Sequence, residues 1–264
     1  MKLINWIKNK YRYYYDLWTI HRNGFVAGGY SVKDYVYEAN FDVEDVDSYE
    51  TVDLRSTSSS VRDQRDTQFC VSFAVGSRVE RLLFEVSGQR FRRVSPIYTH
   101  YYTRFKHGWP DENKGVSIRW YLDTLFEKGF VYTEVMPFTT PYLRVPEDWQ
   151  DELGYMSRDL YLKDYFRYII RPKNVRHALK DGYTVIFGIP LNKTFYGNKT
   201  GYVKDVPPNN YYHAMEVEGF IDSEQVYICK NSWNKSRGDN GYFYIPYTYF
   251  HDHAIDCWVV RKKS

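Results

Sequence analysis

The feature that most limits how this chain can fold is a change of hydrophobic period near residue 165. Before it, apolar residues recur at helical spacing: Val75, Val79, Leu82, Leu83 and Val86 share one face of a segment beginning at Cys70, and Gly88 stands where a helix-ending glycine belongs. Ser95-Pro96 reads as an N-cap and first helical position for a second helix reaching about Phe105. Ser117 opens a third, with Ile118, Tyr121, Leu122, Leu125 and Phe126 on one face and Gly129 closing it. Beyond residue 165 one short helical segment remains, Pro172 to Lys180. The rest becomes short apolar runs bounded by Gly, Asn, Asp or Pro, at residues 183–189, 212–220, 226–230, 241–245 and 254–260. A helical half followed by an antiparallel strand half predicts an α+β chain of two subdomains, about 60–160 and about 161–264. The two halves face each other across a cleft, a common place for a site.

Composition excludes several functions. Lys and Arg number 36 against 33 Asp and Glu, and a net charge of +3 is too small for a dedicated nucleic-acid binder. No run approaches the roughly 18 uninterrupted apolar residues of a membrane helix. Lys8, Lys10 and Arg12 cut short the apolar start at Met1 to Ile7, so no export signal is read and a cytoplasmic setting is expected. Cys70, Cys229 and Cys257 are too few for a disulfide scaffold and contain no CxxC pair. His251 and His253 lack a third ligand and are read as structural, so neither metal nor cofactor is expected.

Charge sets residues 1–51 apart. Residues 1–22 carry five bases against Asp16, whereas residues 23–52 carry Lys33 against seven acids. This stretch reads as an N-terminal arm that folds back on itself, or as a pro-segment that docks on the domain at 52–264.

The chemistry gathers in three pieces: Val61 to Cys70, Tyr212-His213-Ala214, and Lys230-Asn231-Ser232-Trp233. A cysteine at the start of a buried helix gains thiolate stability from unsatisfied N–H groups and the positive dipole end. Such a thiolate needs a histidine to hold its proton and later protonate a leaving amine, and the histidine needs an orienting acceptor. His213 and Asn231 can fill those roles. They lie 143 and 161 residues after Cys70, against the roughly 130–150 of papain-type enzymes.

On these residues the sequence resembles the papain-like cysteine protease family, in its bacterial and phage-type branch. Val52-Asp-Leu-Arg55 is similar to the start of the mature family domain. Gln64 lies six residues before Cys70, as the family's oxyanion glutamine does, and Lys230-Asn-Ser-Trp233 and Asp239-Asn-Gly-Tyr-Phe243 match two downstream segments. The resemblance implies a papain-like fold and hydrolysis of peptide bonds in a polypeptide substrate. Cys70 would be the nucleophile, His213 the acid and base, Asn231 the orienting residue and Gln64 the oxyanion donor. It assigns substrate contacts to Gly115, Ser117, Phe187, Ala214 and Trp233, and widens the expected setting to a phage or virus particle. Gly115 reads equally well as a plain loop residue, and Phe187 as core.

There are departures. Thr67-Gln68-Phe69 replaces Cys-Gly-Ser, which removes the family's usual disulfide partner and suggests a crowded approach to Cys70. Arg65 replaces a glycine. Asn234 to Arg237 replaces a glycine-rich turn, which is expected to alter the indole's cover of the histidine. An alternative is therefore a papain-like protein that binds peptides or serves in assembly. A carbohydrate-binding or structural module would suit the 28 tyrosines but leaves the Gln, Cys, His, Asn spacing unexplained.

Overall fold

Strands from the second half of the chain assemble into one sheet, and the long helix beginning at Cys70 lies across it. The computed structural model describes residues 21–22, 25–26, 34–37, 50–88, 92–139, 144–145 and 165–262. Its elements are β1 (His21–Arg22), β2 (Phe25–Val26), β3 (Tyr35–Val36), β4 (Thr51–Asp53), α1 (Cys70–Ser87), α2 (Tyr98–Lys106), α3 (Ile118–Lys128), β5 (Tyr165–Ile169), α4 (Val175–Lys180), β6 (Val185–Pro190), β7 (Tyr212–Ile221), β8 (Val226–Lys230), β9 (Tyr242–Pro246), α5 (Tyr247–His253) and β10 (Ile255–Lys262). The main sheet runs β3-β5-β10-β6-β7-β8-β9, with β4 added to β7, while β1 and β2 pair with each other. The fold is α+β, and its sheet is antiparallel except where β3 joins β5 in parallel.

The helix ends follow the local chemistry. Gly88 closes α1 at a φ of 62°, in the left-handed region that glycine enters without penalty. Ser117 caps α3 by accepting the Trp120 N–H at 3.0 Å. Ser95-Pro96 behaves differently from its sequence reading. Ser95 donates its N–H to the Val131 carbonyl, Val94 bridges to Tyr132, and α2 starts only at Tyr98. Proline holds the preceding residue extended, so the chain finishes this bridge before it turns helical.

The sheet separates two cores. Antiparallel register pairs Gly188 with Ala214 and Phe187 with Met215. Alternation then turns Ala214 toward α1, beside Cys70, Val116, Ile118 and Trp258. Phe187 and Met215 face the other core, with Cys229, Phe243, Phe250 and Cys257. The helix α5 falls where only strands were expected. Tyr247, Tyr249 and Phe250 bury it, and His251 sits in this helix against the Tyr227 hydroxyl at 3.0 Å, not at a strand start.

Much of the arm lies outside the described residues, but Asp34, Tyr37 and Glu50 are tied into the domain. Asp34 pairs with Arg119 on α3, and Tyr37 is 4% exposed with its hydroxyl donating to Asp181. Glu50 pairs with Lys180 at 2.7 Å, and its N–H donates to the Asp222 carboxylate. Next to it, β4 crosses β7 so closely that a Cβ on Gly219 would sit 2.2 Å from the Val52 carbonyl oxygen. Gly219→Ala is therefore expected to cost about 1–3 kcal/mol of stability. A thermal melt checks this, and an unchanged midpoint would mean that β4 yields freely.

Candidate active site

Cys70 is the first residue of α1, and the main-chain N–H groups of Ala214, Val71 and Cys70 itself lie close to its sulfur. These favour the thiolate, as a helix N-terminus should. Burial opposes them and is the larger effect. The side chain is 1% exposed, and desolvation pushes the thiol up to about 11. Burial thus works against the expected depression of the thiol pKa.

His213 is the second residue of β7 and is 4% exposed. Its Nε2 donates to Asn231 Oδ1 at 2.7 Å, which leaves Nδ1 as the nitrogen free to exchange a proton. Desolvation holds the imidazole down to about 4, against a smaller upward pull from Asn231. In this closed arrangement burial disfavours the charged form of both groups. The indole of Trp233 lies over the imidazole with ring centroids 4.7 Å apart, so the altered turn does not remove its cover. Asn234 enters the left-handed region there at a φ of 71°.

Gln64 is buried and held at both ends of its amide. Ser232 Oγ donates to its Oε1 at 2.6 Å, and Nε2 donates to the Thr67 carbonyl at 2.8 Å, leaving a second N–H available to a ligand. Arg65 takes the conformation that glycine would supply, with a φ of 52°. Phe69 does not crowd the sulfur. It is fully buried and turned inward, stacked on His100 with centroids 3.9 Å apart.

The surroundings are asymmetric. On the Trp233 side a cleft of about 720 Å³ is lined by Asp63, Asp66, Tyr196, Trp233, Asn234 and Arg237, among others. On the other side Gly115, Ser117 and Ala214 are all buried. Phe187 is not brought to them. Register places it on the opposite face of the sheet, against Phe250, so its assignment as a substrate contact is corrected to core.

Sequence reasoning missed the polar group behind Asn231. Lys230 Nζ donates to Ser77 Oγ at 2.7 Å and Ser58 Oγ at 3.0 Å, and lies 3.5 Å from Glu218. Burial pushes Glu218 up to about 7, with Lys230 opposing and Glu216 adding to the rise. The signal was present: two glutamates interrupt the apolar run of β7.

Comparison with known proteins bears on the family and the fold. The model of the papain family cysteine proteases matches residues 119–258, a range that includes His213 and Asn231 and begins after Cys70. An uncharacterized peptidase C1-like protein of Acanthamoeba polyphaga mimivirus is 27% identical over 192 residues, 64% of this chain and 59% of the relative. The chain therefore spans less than two thirds of that relative's length. Xylellain, a cysteine protease from Xylella fastidiosa, superposes with a TM-score of 0.78 at 18% identity, over 92% of this chain and 96% of its own. Digestive procathepsin L 3 from the Tenebrio molitor larval midgut gives 0.63 at 18% identity, over 93% and 78%. These structures share the fold, and the family model covers more than half of the sequence. The chain belongs to the papain family of cysteine proteases.

Proposed function

We propose that this chain is a cysteine endopeptidase in which Cys70 is the nucleophile. The observation that carries the reading is the 2.7 Å bond from His213 Nε2 to Asn231 Oδ1, with the main-chain N–H of the adjoining Ala214 close to the Cys70 sulfur at a helix start. As the sulfur attacks a peptide carbonyl carbon, its proton passes to His213 Nδ1. The carbonyl oxygen becomes an oxyanion, held by the second Nε2–H of Gln64 and the Cys70 main-chain N–H. Collapse breaks the C–N bond, and the amine departs with the proton from His213. Water, deprotonated by the same imidazole, then attacks the thioester, releasing the acid and restoring the thiol. The cleft beside Trp233 suits the departing half of the substrate.

The N-terminal arm is proposed to hold the site closed. In support, β2 lies against β7, the strand that carries His213, and the groups assigned to the substrate side are buried. The nearly inaccessible Cys70 also favours the second reading, a catalytically weak peptide-binding protein.

Iodoacetamide labelling separates the two. Cys70 is expected to react ahead of Cys229 and Cys257, because burial raises both of those thiols well above the ordinary value and neither has an imidazole. Higher pH means more thiolate, so the Cys70 rate should climb as pH approaches its pKa of about 11. Peptide mapping reads the order. Equal labelling of all three, with no peptidase activity lost to an epoxide inhibitor, would leave only the binding reading.

A further inference from the structure

One exposed side chain joins the stretch that carries the nucleophile to the stretch that carries Gly115. Asn113 Oδ1 accepts the Gln68 N–H at 2.9 Å, and Asn113 Nδ2 donates to the Asp66 carbonyl at 3.1 Å. A single amide therefore closes on two peptide groups between Gln64 and Cys70. That loop is tightened internally by Gln64 Nε2 to the Thr67 carbonyl and by Thr67 Oγ1 to the Gln64 carbonyl at 2.6 Å. It has few ways to move without breaking the Asn113 bonds.

His100, on α2, makes the same connection from beneath. A carbonyl only accepts, so the 3.0 Å contact with the Lys114 carbonyl requires the proton on Nε2. Nδ1 then accepts from Ser72 Oγ at 2.7 Å, in the first turn of α1. The ring also stacks on Phe69. Burial and the nearby Arg104 hold its pKa well below the usual histidine range, which keeps this tautomer neutral.

We propose that Asn113, backed by His100, is a positioning residue that sets the distance between the Gln64–Cys70 loop and the Lys114–Ser117 segment. The loop would hold the reacting carbonyl, and the segment would hold the peptide backbone as an added strand. The proposal rests on the reading of Cys70 as nucleophile. A displacement of about 1 Å between two such groups costs roughly 10²-fold in rate when the geometry is that of the transition state. Asn113 is exposed, so water can replace its bonds and the fold does not depend on it.

The test compares Asn113→Ala and Asn113→Asp with the full chain, using a peptide substrate, thermal melts and iodoacetamide. Asn113→Ala should lower kcat about 10-fold, as expected from losing two such bonds, with KM and the melting midpoint nearly unchanged. Asn113→Asp keeps the acceptor for Gln68 and should recover part of the loss. The loosened loop should also expose the thiol, so Cys70 alkylation becomes faster in Asn113→Ala. Cys70→Ala is run in parallel: peptide turnover that survives it refutes the nucleophile reading, and the alkylation rate of Asn113→Ala then decides the clasp alone. Wild-type values of both kcat and alkylation rate, or a kcat that falls only in step with the midpoint, would overturn the proposal.

Discussion

Cys70→Ala is expected to abolish peptide hydrolysis, by at least about 10⁴-fold in kcat/KM, while the protein melts close to the parent temperature. The sulfur is one atom in a well-filled core and only a weak acceptor for the main-chain N–H groups around it, so its replacement by hydrogen removes the chemistry at small cost to the fold. Asn231→Ala should lose less, about 10²-fold, because orientation of the imidazole is one contribution among several. It leaves His213 Nε2 and the Ser232 N–H, which share Asn231 Oδ1, without their acceptor, so a lower melting temperature should accompany it. Gln64→Ala should reduce kcat by about 10²-fold if its N–H meets the oxyanion. A change confined to KM would move Gln64 into substrate binding, and full turnover by Cys70→Ala would remove the nucleophile assignment.

Two truncations of the arm should part company sharply. A chain beginning at Lys33 loses β1 and β2 but keeps the Asp34–Arg119 pair, β3 and Tyr37. With β2 no longer against β7, water can reach the Cys70–His213 pair, which lowers the cost of separating charge there. Turnover and iodoacetamide labelling at pH 7 should both rise. A chain beginning at Val52 also loses Tyr37, whose burial alone contributes about 2–3 kcal/mol, and lacks the Asp34 carboxylate that pairs with Arg119. It should melt about 10 °C lower or aggregate, given roughly 2–4 °C per kcal/mol for a domain of this size. Equal turnover in the full chain and the Lys33 form would sink the idea that the arm closes the site.

The groups proposed for the site could be named from the sequence for a definite reason. Proton transfer and oxyanion binding demand particular side chains, and Gln64, Cys70, His213 and Asn231 stand at spacings and in motifs that few other constraints would produce. The ends of α1 and α3 were legible too, because Gly88, Ser117 and Gly129 act on their own backbone within one helical turn. The helix α5 was not. Its aromatic and histidine residues have no strong helical preference, and packing on β6, β8, β9 and the turn at Pro172–Asn174 holds it.

What the sequence determined by itself was therefore local: which segments coil, where they stop, and which residues can do the chemistry. Tertiary structure decided the rest. The side of the sheet that Phe187 faces depends on register with β7, and one residue of slip would reverse it. The parallel pairing of β3 brings together residues more than 100 positions apart. The resting protonation of Cys70 and His213 depends on how much water the whole fold removes from them. Here desolvation outweighs the helix N–H groups that the sequence advertises.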